Sequence, residues 1–261
     1  MVGDLSGRVA IVTGGSDGVG LATAELLATR GATVVICARR PDKLEEARAR
    51  IAQKGTVEAH QLDVSDDAAF TRLIEDVAER HGRLDMLVNN AMSVHYAPLQ
   101  RLTVEHWRKD FAVNAEAAFV GTKAALGVMA RQEPIGRQRG SIVNISSTCG
   151  LRAATNMASY SASKAAMIHF TAVAAMEAAP MGIRINAIVP GQVQTMATVD
   201  FAARAPEVAA RTAGAIPMGR GGEPDELAEA IVFMLSDAAS YITGVALPVD
   251  GGKSAQLYLP A

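Results

Sequence analysis

The amino-acid sequence predicts an α/β fold of the doubly wound type, with about seven mostly parallel strands and helices on both faces of one sheet. Two observations support this prediction. Short, apolar and β-branched runs such as residues 8–13 and 33–38 are typical of parallel strands that are covered on both faces. Longer stretches with helical spacing separate these runs along the whole chain, so helical crossovers join the strands. We therefore expect a single domain over residues 1–261.

Each predicted element follows from the same two periodicities. The predicted strands cover residues 8–13, 33–38, 55–62, 84–89, 140–145, 183–189 and 245–249. The predicted helices cover residues 19–30, 41–54, 66–81, 103–132, 158–179 and 223–235. Gly31 ends the first helix, Pro41 begins the second and Thr103 begins the long fourth one, as these residue types commonly do.

The stretch from residue 192 to residue 222 has no regular pattern. It follows the sixth predicted strand at the carboxyl edge of the sheet, where ligands bind in folds of this type. We therefore predict that residues 192–222 form a mobile substrate lid with a short helix of its own.

Composition excludes several classes of function. The formal net charge is -2, which argues against nucleic-acid binding through a broad basic surface. No apolar run is long enough for a membrane span, and the N-terminal residues lack the pattern of a secretory signal. The two cysteines, Cys37 and Cys149, do not form a disulfide framework, and the five histidines lack metal-ligand spacing. We expect a cytoplasmic protein without a bound metal.

A glycine-rich segment, TGGSDGVG at residues 13–20, joins the first predicted strand to the first helix. Glycine permits a sharp turn there and leaves room for a diphosphate at the helix N-terminus, whose free N–H groups bind anions. A glycine cluster alone also fits an ordinary tight turn, but at the first strand–helix junction it predicts a Rossmann-type dinucleotide site. The residues assigned to this part of the site are Gly14, Ser16, Asp17, Gly18 and Val19.

The end of the second predicted strand indicates which dinucleotide binds. An acidic residue there would bind the ribose 2′-hydroxyl of NAD(H) and repel a 2′-phosphate. Ala38 occupies that place, and Arg39 and Arg40 follow with guanidinium groups suited to phosphate. We expect NADP(H) to be preferred, with Arg39 as the main contact and Asp17 as a weakening influence. Two solvated arginines, and therefore use of NAD(H), are the alternative.

Ser147, Tyr160 and Lys164 are the candidate catalytic residues. Tyr160 and Lys164 are four residues apart and share one face of the predicted helix 158–179. A nearby ammonium favours the phenolate, so Tyr160 would exchange a proton closer to neutral pH, while the Ser147 hydroxyl would hold the substrate oxygen. The alternative is a core tyrosine beside a lysine with a buried stem.

With the glycine loop, these residues make the chain resemble the short-chain dehydrogenase/reductase family almost end to end. The matching motifs are residues 13–20, Asp63-Val64, Asn89-Asn90-Ala91, Asn114, Ser147, Tyr160, Lys164 and Pro190-Gly191. The resemblance implies that Tyr160 is the acid/base, that Lys164 holds the nicotinamide ribose and that Asn114 holds a water of a proton relay. It also implies cofactor contacts by Asp63, Val64, Asn90, Ala91, Tyr160, Lys164, Pro190, Gly191, Val193 and Thr195.

One residue departs from the family pattern: Met92 stands where glycine usually follows Asn-Asn-Ala, and its side chain would narrow the cofactor floor or reach the substrate. The residues expected at the substrate are Ser147, Met92, His95, Tyr96, Cys149, Met157, Gln192 and Met196. This set is largely apolar and uncharged, which favours a neutral cyclic or aromatic ketone.

The expected reaction interconverts such a ketone and its secondary alcohol. A catalytically silent dinucleotide-binding sensor or scaffold is the alternative from another class.

Two predicted helices, 103–132 and 158–179, carry more small and apolar residues than one covered face requires. The resemblance implies that they pair across a twofold axis and that the last strand and Tyr241 form a second interface, which gives a homotetramer. Leu257, Tyr258 and Leu259 in the C-terminal tail are expected to pack on a neighbouring subunit.

Overall fold

The computed structural model of the chain describes residues 3–256, apart from the side chains at positions 197 and 201. The strands are β1 (Val9–Thr13), β2 (Thr33–Ala38), β3 (Val57–Gln61), β4 (Met86–Asn89), β5 (Gly140–Ile145), β6 (Ile183–Pro190) and β7 (Ala246–Val249). The helices are α1 (Gly18–Thr29), α2 (Pro41–Ala52), α3 (Asp67–His81), α4 (Val104–Phe111), α5 (Ala117–Met129), α6 (Ala158–Ala178), α7 (Met196–Arg204), α8 (Pro206–Gly214) and α9 (Pro224–Leu235). Leu257, Tyr258 and Leu259 lie outside the described residues, so their predicted packing stays a prediction.

All seven strands form one parallel sheet in the order β3-β2-β1-β4-β5-β6-β7. The chain winds outward from β1 to β3, then returns to the centre and winds outward from β4 to β7. The predicted doubly wound fold is confirmed. Its reversal point lies between β1 and β4, and ligands of such sheets bind outside the carboxyl ends of the strands at that point.

Two apolar layers cover the sheet and explain why its strands are apolar throughout. On one face α1, α2 and α9 pack against alternate strand residues such as Val12 and Ile36. On the other face α3, α5 and α6 pack against the intervening residues, among them Ile11 and Val35. Because side chains alternate across a strand, every position of β1 is buried, and no polar alternation shows in its sequence.

The predicted helix 103–132 contains an unpredicted irregularity. The helix is continuous in direction, but residues 112–116 form one turn of π-helix between α4 and α5. The N–H of Ala117 bonds the carbonyl oxygen of Ala112, five residues back instead of four. Such a turn accommodates one extra residue and is frequent at functional sites. Here it contains Asn114.

The predicted lid also has more regular structure than expected. Residues 192–222 contain two short helices, α7 and α8, where the sequence suggests a single one. Within residues 3–256, none of the helices has both the length and the apolar character needed to cross a membrane.

Candidate active site

The carboxyl edge of the sheet gathers the polar and glycine residues that follow the strands. Gly14 comes after β1, Asn90 after β4, Ser147 after β5, Gly191 after β6 and Asp250 after β7. Because all strands are parallel, these five residues lie at the same edge although they span most of the sequence. The fold therefore forms one candidate site there.

The glycine loop depends on backbone conformations that other residues adopt only with strain. Gly14 and Gly18 have φ of +65° and +51°. A Cβ at Gly20 would overlap the carbonyl oxygen of Gly14 and the side-chain amide of Asn90. Asp17 precedes α1, and its Oδ1 accepts a hydrogen bond of 2.8 Å from the N–H of Gly18. The loop is therefore closely packed, with the helix N-terminus directed toward the carboxyl edge.

Asn90 ties this loop to the end of β4. Its Nδ2 donates to the carbonyl oxygen of Thr13 at 2.9 Å, and its backbone N–H donates to the hydroxyl of Thr13 at 2.9 Å. The N–H of Ala91 donates to the same hydroxyl at 3.0 Å. The Asn90 amide thus holds the glycine loop in its observed conformation, a role that the sequence did not suggest.

The two arginines after β2 have different surroundings. The guanidinium of Arg40 lies 3.6 Å from Asp17 Oδ2 in a solvent-exposed ion pair. The guanidinium of Arg39 is exposed and makes no hydrogen bond within residues 3–256. Burial acts to raise the pKa of Asp63, but hydrogen bonds from Ser65 and the charges of Arg39 and Lys109 outweigh it and hold that pKa below its ordinary value. The guanidinium of Arg39 is therefore near Asp63 without a hydrogen-bond acceptor among residues 3–256, while that of Arg40 pairs with Asp17 of the glycine loop. Val64, the neighbour of Asp63, is buried.

Ser147, Tyr160 and Lys164 come together below the mouth of the site, and all three are buried. Lys164 Nζ lies 5.8 Å from the centre of the Tyr160 ring and donates a hydrogen bond of 2.7 Å to the carbonyl oxygen of Ile145. Within the described part of the chain, this carbonyl is its single hydrogen-bond acceptor. Two of the three ammonium protons are therefore available to a ligand.

The protonation of this group differs from the expectation that Lys164 favours the Tyr160 phenolate. Burial raises the pKa of Tyr160 to about 12, although a hydrogen bond with Ser147 acts to lower it. Burial also lowers the pKa of Lys164 to about 7. Removal from water disfavours both charged forms, and a half-neutral amine cannot strongly stabilise the phenolate. In the protein alone, Tyr160 is therefore a protonated phenol at neutral pH.

Asn114 is fully buried, and its amide is occupied by protein partners. Its Oδ1 accepts from the N–H of Ser93 at 2.9 Å. Its Nδ2 donates to the carbonyl oxygen of Ser93 at 2.8 Å and to Ser163 Oγ at 2.9 Å. Ser163 Oγ in turn donates to the carbonyl oxygen of Tyr160 at 2.8 Å. The side chain of Asn114 thus joins the loop after β4 to the helix of Tyr160.

The segment after β6 passes over the glycine loop. A Cβ at Gly18 would lie 3.1 Å from Thr195 Cγ2, and a Cβ at Gly191, beside Pro190, would lie 2.8 Å from Asp250 Cβ. Val193 pairs with Gly222 in a short bridge, which closes the base of the lid. Gln192 Oε1 is buried without a hydrogen-bond partner within residues 3–256. An unpaired buried acceptor at this place indicates a site for a donor group of a ligand.

The residues expected at the substrate are only partly brought together. The negative charges that Cys149 and Tyr96 would carry raise the pKa of Tyr160, so both lie near its phenol. Cys149 Sγ is 4.0 Å from Met157 Sδ. Met92 and Met196 are largely exposed, with 51% and 66% of their surface accessible, so their contact with a substrate stays a prediction.

His95 is partly buried, with 25% of its side chain accessible, and its environment was not expected from the sequence. Its Nδ1 lies 2.7 Å from Oδ1 of Asp110, and its ring stacks on His106 with ring centres 4.2 Å apart. Asp110 is fully buried. One signal in the sequence could have identified it: Asp110 precedes Asn114 by four residues and therefore lies on the same helix face.

Comparisons with known proteins agree with this architecture. A family model described as enoyl-(acyl carrier protein) reductase matches residues 14–254. The 2,5-dichloro-2,5-cyclohexadiene-1,4-diol dehydrogenase LinX of Sphingobium indicum is 39% identical, over 97% of this chain and 99% of its own. The cyclopentanol dehydrogenase of Comamonas testosteroni is 36% identical, over 97% of this chain and 100% of its own.

Among solved structures, a candidate NAD(P)-dependent gluconate 5-dehydrogenase from Beutenbergia cavernae, with NADP bound at low occupancy, superimposes with a TM-score of 0.90. It is 36% identical, and the alignment covers 97% of this chain and 99% of that one. The family model spans almost the whole chain and relatives named as alcohol dehydrogenases match it from end to end. The chain therefore belongs to the short-chain dehydrogenase/reductase family of oxidoreductases.

Proposed function

We propose that this chain interconverts a ketone and its secondary alcohol with NADP(H) as the preferred cofactor and with Tyr160 as the acid/base. One observation carries the proposal: Ser147, Tyr160 and Lys164 are buried together at the carboxyl edge of the sheet, the edge at which the glycine loop also lies. A buried phenol and an amine with unused donors serve no evident packing purpose. They suit an oxygen atom that gains or loses a proton.

The roles of the residues follow from their protonation. With a pKa of about 12, the Tyr160 phenol holds its proton at neutral pH and can donate it to the oxygen of a ketone. The Ser147 hydroxyl donates a hydrogen bond to the same oxygen while negative charge develops on it. Alcohol oxidation requires the phenolate, so its rate rises with pH. The dinucleotide supplies or accepts the hydride.

The residues around the glycine loop fit a dinucleotide. Side chains are absent at Gly14 and Gly18, and a Cβ at Gly14 would lie 3.1 Å from Ala91 Cα. The N–H of Gly18 already bonds Asp17, and the next N–H groups in the first turn of α1 are proposed to bind a diphosphate. Gln192 Oε1 and the two unused protons of Lys164 are available to the nicotinamide half. The residues proposed to hold the dinucleotide are Gly14, Ser16, Asp17, Gly18, Val19, Arg39, Arg40, Asp63, Val64, Asn90, Ala91, Tyr160, Lys164, Pro190, Gly191, Val193 and Thr195.

The preference for NADP(H) rests on Ala38 and Arg39. Position 38 lacks the carboxylate that would repel a 2′-phosphate, and the guanidinium of Arg39 has no protein acceptor within residues 3–256. Asp17 opposes the preference less than its position suggests, because it already faces Arg40 and the N–H of Gly18. The Beutenbergia cavernae neighbour with bound NADP supports the same choice.

The proton relay is proposed to run through the main chain near Asn114. The side-chain amide is occupied, so the relay is proposed to use the main chain of the π-helical turn that contains Asn114. A cavity of about 10 Å³ beside Asn114, Thr13 and Ala91 has room for about one water molecule. We propose that such a water continues the path from Tyr160 toward solvent.

The proposed substrate is a neutral cyclic ketone or the corresponding alcohol. The groups near Tyr160 are apolar or uncharged, among them Tyr96, Cys149 and Met157, and Asp110 is turned toward protein donors. The two curated relatives compared above are named for ring alcohols.

Residues 192–222, with α7 and α8, are proposed to act as the substrate lid of a single domain.

Assembly into a homotetramer is also proposed. Trp107, Phe119, Val173 and Met176 on α4, α5 and α6 are exposed apolar residues, and Tyr241 is fully exposed before β7. Burial of these side chains against other subunits would remove apolar surface from water. Light scattering at micromolar concentration should give the mass of four chains, and a monomer would contradict the proposal.

The decisive experiment replaces Tyr160 by phenylalanine. Loss of the acid/base should lower kcat on the order of 10²- to 10⁴-fold, while NADPH still binds. The control is Tyr241→Phe, which removes only a hydroxyl, keeps the ring that is proposed to pack between subunits and should leave kcat unchanged. Reduction of a panel of cyclic ketones with NADPH and NADH is followed by absorbance. A Tyr160→Phe enzyme with half of the original kcat would refute the assignment.

A further inference from the structure

Asp110 is a buried carboxylate outside the group of residues considered above. It lies on α4, and none of its surface is accessible to solvent. Its Oδ1 accepts hydrogen bonds from Ser93 Oγ at 2.8 Å and His95 Nδ1 at 2.7 Å. Its Oδ2 accepts from Ser159 Oγ at 2.5 Å and from the N–H of His95 at 3.3 Å. One side chain on α4 therefore joins the loop after β4 to the first turn of α6.

Asp110 is ionised at neutral pH despite its burial. Burial acts to raise its pKa, but the hydrogen bonds from Ser159, His95 and Ser93 outweigh this effect and hold the pKa below its ordinary value. A carboxylate with four donors forms stronger hydrogen bonds than a neutral group would. The arrangement therefore resists displacement of any of its partners.

Two side-chain hydrogen bonds, one helical turn apart, connect the helix of Asp110 and Asn114 to α6. Asp110 and Asn114 are four residues apart on one helix, and Ser159 and Ser163 are four residues apart on the other. Asp110 bonds Ser159, and Asn114 bonds Ser163. Tyr160 lies in the turn of α6 between these two hydrogen bonds. Its position along and around the helix is therefore set from both sides.

The same carboxylate also fixes the loop that borders the substrate. Ser93 and His95 belong to residues 92–97, which carry the exposed Tyr96 near the Tyr160 phenol. The N–H of Ala97 donates to the carbonyl oxygen of Asn156, just before α6, at 3.0 Å. Asn156 has a left-handed backbone with φ of 63°, which asparagine tolerates better than most residues. The hydrogen bonds of Asp110 and of Ala97 thus connect the loop 92–97 to the start of α6 at two places.

We propose that Asp110 is a positioning residue that holds Tyr160 and the substrate-facing loop 92–97 in one arrangement, acting through Ser159 and His95. The inference rests on the proposed role of Tyr160 as acid/base and adds a residue that controls it. Within residues 3–256, the hydrogen bonds of Asp110 go to Ser93, His95 and Ser159 and to none of the glycine loop, so we expect it to act on the alcohol or ketone and not on dinucleotide binding.

The test compares Asp110→Asn with Asp85→Asn. Asp85 is equally buried and accepts hydrogen bonds from Arg83 and from the N–H of Val9 at the opposite edge of the sheet. Asp110→Asn should lower kcat about ten- to a hundredfold and raise KM for the alcohol, because small misplacements of reacting groups have effects of this size. The Kd for NADPH should change less than about twofold, since distant sites act independently. Asp85→Asn should lower the Tm without either kinetic effect.

The pH profile supplies a readout that a purely structural role would not move. The groups that face Tyr160 are Ser147, Lys164, Cys149, Tyr96 and Asp110, and the charge of Asp110 contributes to the high pKa of the phenol. Removal of that charge should lower the pKa of Tyr160 and shift the ascending limb of kcat/KM for alcohol oxidation to lower pH. The limb should not move in Asp85→Asn. An unmoved limb with unchanged kcat in Asp110→Asn would overturn the proposal.

Ser159 provides a second route if Asp110→Asn folds poorly. Ser159→Ala should lower kcat in the same direction, and Ser159→Thr, which keeps the hydroxyl, should restore it. The double variant Asp110→Asn/Ser159→Ala should have a kcat no lower than that of Asp110→Asn alone. Both changes break the same hydrogen bond between α4 and α6, so their effects should not add. Retained activity in Tyr160→Phe would overturn the proposed function and this inference together. An inactive Tyr160→Phe beside a fully active Asp110→Asn and Ser159→Ala would overturn the inference alone.

Discussion

The buried charges at the amino edge of the sheet have more protein partners than the amine of Lys164 at the carboxyl edge. At the amino edge, Arg8 donates to Asp237 at 2.8 Å, and Asp85 accepts from Arg83 at 2.8 and 2.6 Å. Arg184 is also buried there and donates to three acceptors, the side chain of Gln138 and two carbonyl groups. At the carboxyl edge, the amine of Lys164 has one carbonyl acceptor within the described residues, and burial lowers its pKa to about 7.

This difference in pairing suggests that the buried charges at the amino edge serve stability and that the amine of Lys164 serves ligand binding. Protein groups match the charges of Arg8, Asp85 and Arg184, so removal of one partner leaves the other buried and unpaired. Donors and acceptors at the carboxyl edge, such as Lys164 Nζ and Gln192 Oε1, are left for a ligand. Unpaired buried polar groups lower the stability of the free protein, and functional sites commonly carry this cost. Variants at the two edges should therefore affect different properties.

The largest effect is expected from Lys164→Met at the carboxyl edge. Its kcat/KM should fall by a factor on the order of 10² or more, since the amine serves the acid/base and the ribose. The exposed Lys43→Met is the control and should keep full activity. Activity near the original level in Lys164→Met would show that the buried amine is only part of the core.

The stability of Lys164→Met should change in the opposite direction from its activity. The pKa of Lys164 is about 7 in the folded protein and 10.5 in an ordinary environment, so the unfolded chain binds more protons between these values. The lysine therefore destabilises the fold most below pH 7, and this penalty shrinks as the pH rises toward 10. Lys164→Met should raise the Tm more at pH 6 than at pH 9. A Tm gain that grows with pH would contradict the assigned pKa.

Asp85→Ala should show the converse behaviour at the amino edge. It leaves Arg83 and the N–H of Val9 without their acceptor and should lower the free energy of unfolding by about 3–5 kcal/mol. The kcat of the folded fraction should not change. Urea denaturation measures the loss, and Glu46→Ala, which removes an exposed partner of Lys43, should cost no more than about 1 kcal/mol. Equal losses in both variants would remove the distinction between the edges.

A smaller effect is expected from Arg39→Ala at the end of β2. Loss of a charge-assisted hydrogen bond to a 2′-phosphate, about 1.5–3 kcal/mol, should lower kcat/KM with NADPH roughly ten- to a hundredfold. Efficiency with NADH should change little. Arg48→Ala on α2 removes an exposed charge of the same type and is the control. A parent enzyme that favours NADH would show that Arg39 is a surface residue.

The smallest effect is expected from Met92→Gly. Half of the Met92 surface is exposed, with 51% accessible, so its removal should change the free energy of unfolding by less than about 0.5 kcal/mol. The KM for large ring ketones should change more than the KM for small ones, if the Met92 side chain reaches the substrate as the sequence predicts. Equal KM changes across ring sizes would place Met92 outside the substrate region.

Much of the fold was predictable because burial leaves a direct signal. Strands covered on both faces must be apolar throughout, and the amphipathic helices that cover them, such as α3, must be polar on one side. Glycines at positions 14 and 18 mark the loop, since their positive φ excludes other residues without strain. The spacing of Tyr160 and Lys164 followed from the helix period.

The π-helical turn at Asn114 was not predictable from periodicity. It inserts one residue into an otherwise regular helix, and the flanking segments α4 and α5 still show helical spacing. The buried ionised state of Asp110 was equally hidden, because its donors Ser93, His95 and Ser159 come from two segments distant in sequence. Contacts of this kind arise only when the loop after β4 meets α6.

The sequence by itself determined the parallel sheet, the glycine loop and the residue types at the carboxyl edge, because local periodicity and backbone freedom are properties of short segments. Tertiary structure alone decided the protonation of those residues. Lys164 and Tyr160 are neighbours on one helix in any fold, but their pKa values of about 7 and 12 come from the removal of water by surrounding elements. Desolvation depends on everything packed around a group, so the paired charges of Arg8 and Asp85 and the unused donors of Lys164 became visible only in three dimensions.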